Sequence, residues 1–371
     1  MKIYLVGGFV RDTVMGREAH DKDFVVVGAT PEEMIEKGFH QVGADFPVFL
    51  DDAGQEYALA RTERKTGKGY KGFETSFDPS VTLWDDLERR DLTINAMAQD
   101  IETGVIIDPF NGQKHIEEKR LVHVSDAFGE DPVRVLRTAR FAAQLRDFKI
   151  DKSTIELMKN MVSNGEVDHL TRERVIGEVN KAMAADNPYH FFDTLAWIDA
   201  LYSIFPGRVA KQIIDRYEMI NSRFFTDDSL PLSVTQRWME MFDRITSNTI
   251  RDLKSFGFSN EIIKVAEFCE AFTGSPSVWE RCPSSRRALW EACKRCGQFR
   301  DQTLVAAFLE MRGMRFNADN VAEEVEVIAE AGEIGFDDLT EWQRENLKGP
   351  KIGAAIKQLQ LEYLDKYMPV G

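Results

Sequence analysis

The chain has few cysteines and histidines, no long apolar run and too little positive charge, and each shortage removes a class of function. Four cysteines in 371 residues are too few for a disulfide framework, so free thiols are expected. Cys293-Lys-Arg-Cys296 has no second such pair and no histidine near it, which argues against zinc. No apolar stretch approaches the ~18 residues of a membrane span, and no secretory leader or low-complexity tract is evident. A protein of the cytoplasm, away from membranes, is therefore expected. Forty-seven basic against 62 acidic residues leave a formal charge of −15. That balance disfavours general adhesion to polyanions without excluding a local basic cleft, so a strongly polarised surface is predicted.

What is present is concentrated early. Lys2 to Val6 reads as a short apolar strand, Gly7-Gly8 breaks it, and Val10 to Met15 reads as a brief helix whose first amides face outward. Such a turn can hold a phosphate. Asp21-Lys-Asp23-Phe-Val-Val-Val27 follows; in a strand, Asp21 and Asp23 leave the same face about 7 Å apart. Two such carboxylates suit Mg²⁺, which takes one or two of them together with phosphate oxygens and water. Gly7, Gly8 and Phe9 do not make Gly-x-Gly-x-x-Gly, so a dinucleotide fold is set aside.

Thr30-Pro-Glu-Glu33 is a capping box opening a helix to about Lys37, and Val48–Leu50 and Glu56–Ala60 read as strands completing a small mixed sheet. Glu56 or Glu63 offers a third carboxylate, and spacing does not choose between them. Residues 61–73 hold five basic residues and three glycines in thirteen positions, a surface loop or a basic loop near a polyanion. Arg89-Arg90-Asp91 reads as a charged helix start, with Asp91 near the N-terminal dipole. Asp131-Pro132 reads as an N-cap and first helical residue. Beyond it Arg134, Arg137 and Arg140 occupy roughly 120° of a helix, opposite Val135, Leu136, Ala139, Ala142 and Ala143. One side packs and the other presents three guanidiniums, without the interspersed acids of an ordinary solvated face. From about Asp151 onward the pattern is helical, with breaks that include Gly165, Asn187-Pro188, Pro206-Gly207, Gly257–Asn260, Gly313 and Gly349-Pro350.

In this order the strand, Gly-Gly turn, Asp-x-Asp strand, Arg-Arg-Asp segment and Glu130-Asp131-Pro-Val-Arg134 resemble the polymerase-β type nucleotidyltransferases. Within them the resemblance is to bacterial class II tRNA nucleotidyltransferases, the CCA-adding enzymes, and is densest over residues 1 to about 185. It implies catalysis at Asp21 and Asp23 with Mg²⁺. It places Arg90 on the incoming nucleotide, Asp91 and Asn95 around the sugar, and Asp131 and Arg134 on the base edge as a protein template. Arg137 and Arg140, with Gly8 and Arg11, would bind triphosphate and ribose. It further implies that the 61–73 region is a flexible loop tied to the change from adding C to adding A, that Ile107–Gly112 is a hinge, and that Thr171–Glu178 braces the template helix. All six histidines lie at or before His190. The C-terminal His-Asp phosphohydrolase domain of many relatives therefore has no residues to build on here, and no such activity is expected.

The resulting expectation is an α+β protein. A polymerase-β-like head with a mixed sheet spans residues 1–122, a helical neck reading the base 123–206, and a helical body and tail holding tRNA 207–371. Its partners would be tRNA, CTP and ATP, with no membrane, and a monomer is favoured. The rivals are a poly(A) polymerase, a partial CC- or A-adding enzyme, and a tRNA-binding module without catalysis.

Overall fold

The structure, a computed structural model, describes residues 1–42, 48–65, 73–224, 232–273, 283–316 and 321–368. It divides into two compact units, Met1–Ile204 and Phe205–Gly371.

The first unit opens with β1 (Lys2–Val6), α1 (Gly8–Val14), β2 (Asp23–Val27) and α2 (Pro31–Glu36), then β3 (His40–Val42), β4 (Val48–Leu50) and β5 (Glu56–Leu59). A separate hairpin of β6 (Thr62–Lys65) and β7 (Phe73–Ser76) follows. Next come α3 (Leu83–Glu88), a 3₁₀ turn (Thr93–Asn95), β8 (Ala98–Asp100), β9 (Ile106–Ile107) and α4 (Gly112–Glu117). Seven strands make one sheet in the order β3-β4-β5-β2-β1-β8-β9, in which only β2 and β5 run parallel. The mixed sheet read from the sequence is thus present, with β8 and β9 added beyond β1. Both its faces are covered, which explains why Phe24 to Val27 is continuously apolar rather than alternating. Val25 packs with Tyr4, Val6, Leu87 and Ala98 on one side, and Val26 with Met34, Phe49 and Leu59 on the other. Burying each large side chain contributes about 1.5–3 kcal/mol.

The Thr30 capping box forms as expected, with the Thr30 hydroxyl accepting from the Glu33 amide at 3.2 Å. Two local readings change. Only Asp23 belongs to β2; Asp21 precedes it, because β1 ends at Val6 opposite Asp23 and leaves Asp21 and Lys22 no ladder partner. Arg89 and Arg90 leave a helix instead of entering one. A Thr82–Asp85 capping box starts α3 early, so Arg89 caps its C-terminus, where the helix dipole favours cations, and Asp91 lies beyond that end.

The Ile107–Gly112 turn acts as a cap and a tight joint. Asp108 accepts the amides of Gly112 and Gln113 at 2.7 and 2.9 Å. A Cβ on Gly112 would stand 2.5 Å from the Thr93 carbonyl oxygen and 2.8 Å from Met97 Cγ. Because a backbone atom cannot be swung aside, Gly112→Ala is expected to cost about 3 kcal/mol. Urea unfolding of the variant checks this, and an unchanged midpoint would contradict it.

Apart from a short parallel pair, β10 (Arg120–Leu121) with β11 (Lys149–Ile150), the rest of the unit is mainly helical: α5 (Val133–Gln144), α6 (Lys152–Ser163), α7 (Arg172–Met183), α8 (Tyr189–Trp197) and the short α9 (Leu201–Ile204). α5 packs against α7 and α8 and is buried along most of its circumference. The second unit comprises α10 (Gly207–Phe224), α11 (Val234–Met241), α12 (Ser247–Phe256), α13 (Asn260–Glu270), α14 (Pro283–Cys296), α15 (Thr303–Phe316), α16 (Val321–Glu333), α17 (Glu341–Asn346) and α18 (Pro350–Tyr367). The expected break at Gly313 does not occur, since α15 runs through it. Cys269, Cys293 and Cys296 are buried thiols; burial pushes Cys296 up to about 11 and raises Cys269 and Cys293 well above the usual thiol range, so none is a ready nucleophile. Among the described residues no helix is long and apolar enough to cross a membrane.

Candidate active site

A pocket of about 770 Å³ opens in the first unit. All eleven residues singled out from the sequence line it: Gly8, Arg11, Asp21, Asp23, Arg90, Asp91, Asn95, Asp131, Arg134, Arg137 and Arg140. They arrive from the β1–α1 turn, the edge of β2, the segment after α3 and the helix α5. Nine basic side chains and six acidic ones line the same space, a local excess of positive charge in a chain whose net charge is −15.

Gly7 makes the first convergence possible. Its φ of +70° is unfavourable for residues with a Cβ, and a Cβ there would stand 3.2 Å from Arg90 Nη1 and 3.8 Å from Asp23 Oδ2. The chain thus turns from β1 into α1 with an arginine and a carboxylate pressed against the turn, and no side chain caps the first turn of α1. Asp23 is exposed to the pocket, and its carboxyl is raised above the usual range. Partial desolvation in the cleft is the main cause; Arg90 opposes it, while Glu56, its neighbour on β5, and Asp21 add to it. Among the described residues no third carboxylate, histidine or cysteine completes a metal cluster with the pair. The side chain of Glu63 lies outside the described residues.

Behind the carboxylates runs a hydrogen-bonded chain. Arg11 Nη1 donates to Asn95 Oδ1 at 2.9 Å, Asn95 Nδ2 donates to Asp91 Oδ1 at 3.0 Å, and Arg137 Nε donates to Asp91 Oδ2 at 2.7 Å. Asp91 is buried, and burial alone would raise its carboxyl. The Arg137 guanidinium and the hydrogen bonds from Asn95 and the Leu92 amide outweigh that and hold it at about 2.

The α5 arginines differ from the open face read from the sequence. Arg134 and Arg140 are each 7 % exposed, because other elements close over them. Arg134 donates to the carbonyls of Ala127 and Arg89. Arg140 donates to Glu178 of α7 and to Gln144, both at 2.5 Å. The acids absent from the α5 face itself are supplied across space by Asp91 and Glu178. Asp131 receives a bidentate pair from Arg174 of α7 at 3.0 and 2.7 Å, and its Oδ1 also accepts the Val133 amide. α7 therefore braces α5 through Arg174 and Glu178, although Thr171 makes no side-chain cap.

Sequence reading missed Arg174, Arg61, Arg89 and Phe141 as lining residues. The Phe141 ring lies 4.2 Å from the Arg140 guanidinium carbon, 5.3 Å from that of Arg11 and 5.9 Å from that of Arg137, gathering three cations around one aromatic. Arg137 and Arg140 neighbour it in the chain, but Arg11 does not, and nothing local signals that the three gather on one ring. Residues 66–72, the centre of the basic loop, lie outside the described residues.

With this geometry in place, comparison with known proteins shows what the chain is similar to. Residues 3–122 match the family described as the poly A polymerase head domain. Residues 147–211 match a second family, described as a probable RNA and SrmB-binding site of polymerase A. Over 215 residues the chain is 57% identical to a CCA-adding enzyme of Marinobacter nauticus, covering 57% of each protein. Over 209 residues it is 54% identical to a multifunctional CCA protein of Haemophilus ducreyi, covering 56% of this chain and 51% of that one. The chain thus spans little more than half the length of the curated relatives it matches. The fold extends further. The structure of the Bacillus stearothermophilus CCA-adding enzyme in complex with CTP matches 98% of this chain and 89% of that one, with a TM-score of 0.66 and 22% identity. A tRNA nucleotidyltransferase complexed with a primer tRNA and an incoming ATP analog matches 89% of this chain and 96% of that one, with a TM-score of 0.60 and 23% identity. The resemblance to CCA-adding enzymes read from the motifs is borne out, as is the order of a mixed-sheet head domain followed by helices.

Proposed function

We propose that the chain is a template-independent tRNA nucleotidyltransferase of the cytoplasm that adds or repairs the 3′-terminal CCA of tRNA, using CTP and ATP and releasing pyrophosphate. The observation that carries this reading is the meeting, in one basic pocket, of the Asp21–Asp23 pair, the phosphate-suited arginines and the Asp131–Arg134 pair. In this reading residues 1–122 are the catalytic head, 123–206 the neck and 207–371 the tRNA-holding body and tail.

Asp21 and Asp23 would hold Mg²⁺. The fit is chemical: Asp23 is raised mainly by partial burial, with Glu56 and Asp21 adding to it, an unfavourable charge that a divalent cation relieves, and two carboxylates with phosphate oxygens are a usual Mg²⁺ donor set. When bound, the metal supplies positive charge that favours deprotonation of the attacking hydroxyl and stabilises the departing pyrophosphate. The protein's own part is positioning. Arg90 brings a permanent charge beside Asp23, and its buried Nε has no hydrogen-bond partner among the described residues, a donor suited to a phosphate oxygen. Arg11, Arg137 and Arg140, steadied by Phe141, Asn95 and Asp91, extend that cationic lining toward triphosphate and ribose.

Asp131 reads the base. A carboxylate has about four acceptor sites, and here Arg174 takes two and the Val133 amide one. The site that remains accepts one exocyclic amino hydrogen, from N4 of cytosine or N6 of adenine, while Arg134 donates to the ring edge. Uracil and guanine place a carbonyl where that amino group is needed and leave the carboxylate unpaired.

Incubating the protein with tRNA lacking its 3′ end, CTP, ATP and Mg²⁺, and sequencing the products, tests the reading. Ends of C-C-A and no longer are expected. Long A tails would support a poly(A) polymerase, the reading favoured by the family descriptions of residues 3–122 and 147–211. No extension would leave a tRNA-binding module. Phe141→Leu keeps the bulk and removes the ring face, and is expected to raise the KM for CTP about fivefold, in line with cation–π terms of about 0.5–1 kcal/mol. Steady-state kinetics with CTP checks it, and an unchanged KM would remove the role given to the ring.

A further inference from the structure

The carboxylate of Asp86 is 0 % exposed and accepts from three separate places. Its Oδ2 takes Arg90 Nη2 at 3.1 Å, and its Oδ1 takes Arg89 Nη2 at 2.8 Å, Arg89 Nε at 3.2 Å and the Arg61 amide at 3.4 Å. Helical spacing places Asp86 under both arginines, three and four residues before them. Arg89 Nε also donates to the Arg61 carbonyl at 3.1 Å, so residue 61, where the chain leaves β5 for the β6–β7 hairpin, is gripped through both its amide and its carbonyl. The Arg89 carbonyl in turn accepts from Arg134. One buried side chain thus holds the phosphate-suited arginine and the root of the hairpin, and the base-reading arginine bonds the backbone of the Arg89 it also holds.

We infer that Asp86 is a positioning residue for nucleotide binding: by fixing the Arg90 guanidinium against Gly7 and Asp23, it sets the cation that receives the incoming triphosphate. This inference rests on the proposed nucleotidyl transfer. Asp86 does not touch the nucleotide. An arginine side chain left to itself samples many rotamers, and a carboxylate that accepts from one edge of the fork restricts it to a single presentation of the other edge. The Arg61 and Arg89 contacts are what keep Asp86 itself in place, since each donor fixes a further direction of the same carboxylate.

The test measures CTP binding by calorimetry and the KM for CTP on tRNA lacking its 3′ end, using the full chain. The variants are Asp86→Asn, the charge-balanced Asp86→Asn/Arg89→Met, Arg90→Ala and Asp86→Asn/Arg90→Ala. The charge-balanced variant removes one anion and one cation together, so it keeps the local charge of the wild type and covers the case in which Asp86→Asn alone does not fold. Both Asp86 variants are expected to weaken CTP roughly ten- to a hundredfold, the range for a hydrogen bond to a charged group, with tRNA affinity changed by less than about twofold. In the Arg90→Ala background, Asp86→Asn is expected to add less than about twofold, because its effect passes through the side chain already removed. A folded Asp86→Asn/Arg89→Met that binds CTP like the wild type overturns the inference, and so does an Asp86→Asn loss that persists in full without Arg90. A wild-type chain that binds neither CTP nor ATP would instead overturn the nucleotidyl-transfer reading on which the inference rests.

Discussion

Asp23→Asn should abolish nucleotide transfer, by more than about a thousandfold, and at the same time raise the melting temperature of the metal-free protein. The first effect follows from the proposed function, in which Asp23 is one of two carboxylates that would hold Mg²⁺; a thousandfold corresponds to about 4 kcal/mol of transition-state charge stabilisation. The second follows from the raised Asp23 carboxyl. A carboxylate whose folded pKa lies above its unfolded value favours the folded state when protonated, and that contribution is lost as pH rises through the folded value. Asparagine removes the penalty, so the variant's advantage should be present at neutral pH and vanish in acid. Magnesium should stabilise the wild type and leave the variant unmoved. Transfer within tenfold of the wild type, or a melting temperature that still responds to magnesium, would sink the assignment of Asp23.

Asp91→Asn is the second large effect, and it falls on the fold as well as the site. Asp91 is 5 % exposed and holds Arg137, Asn95 and the Leu92 amide. Removing one partner of a buried pair costs about 3 kcal/mol. The pH dependence gives an independent reading. With the carboxyl held at about 2 against 3.8 for the unconstrained group, the stabilisation is complete above about pH 4 and is lost as pH falls toward 2. It amounts to roughly 2–3 kcal/mol at 1.36 kcal/mol per unit. Denaturant unfolding of both proteins between pH 2 and 7 should show a difference that is constant above pH 4 and shrinks below it. A difference that persists undiminished at pH 2 would remove the Asp91 carboxylate as its source.

Features written in neighbouring residues were legible in the sequence, and those built by chain crossings were not. The Thr30 box, the β4 and β5 strands and the Asp131-Pro132 start of α5 depend on a handful of adjacent residues, and the structure forms them. β3 escaped because all three of its residues are exposed, leaving no alternation to detect. β8 escaped because Ala98 continues the apolar Ala96-Met97 pair and marks no boundary. α3 was misread because its stop falls at Arg89, where a charged cluster looks equally like a start. The eleven candidate residues were recognisable as a set because each sits in a dense local motif. What each one touches was not, since Arg174 meets Asp131 and Arg137 meets Asp91 across more than forty residues of chain. Asp86 is the sharpest case, an acid among Asp85, Glu88 and other charges that nothing local marks as buried.

The basic pocket has one more consequence when set against the chain's overall charge. Because the lining is positive and the whole chain carries −15, the remaining surface is more acidic than the total indicates. An anionic group is therefore favoured in the pocket relative to the average of the remaining surface. Added salt should weaken the average repulsion at the exposed surface, which is screened within about 10 Å at 0.1 M ionic strength, more than it weakens attraction inside the enclosed pocket.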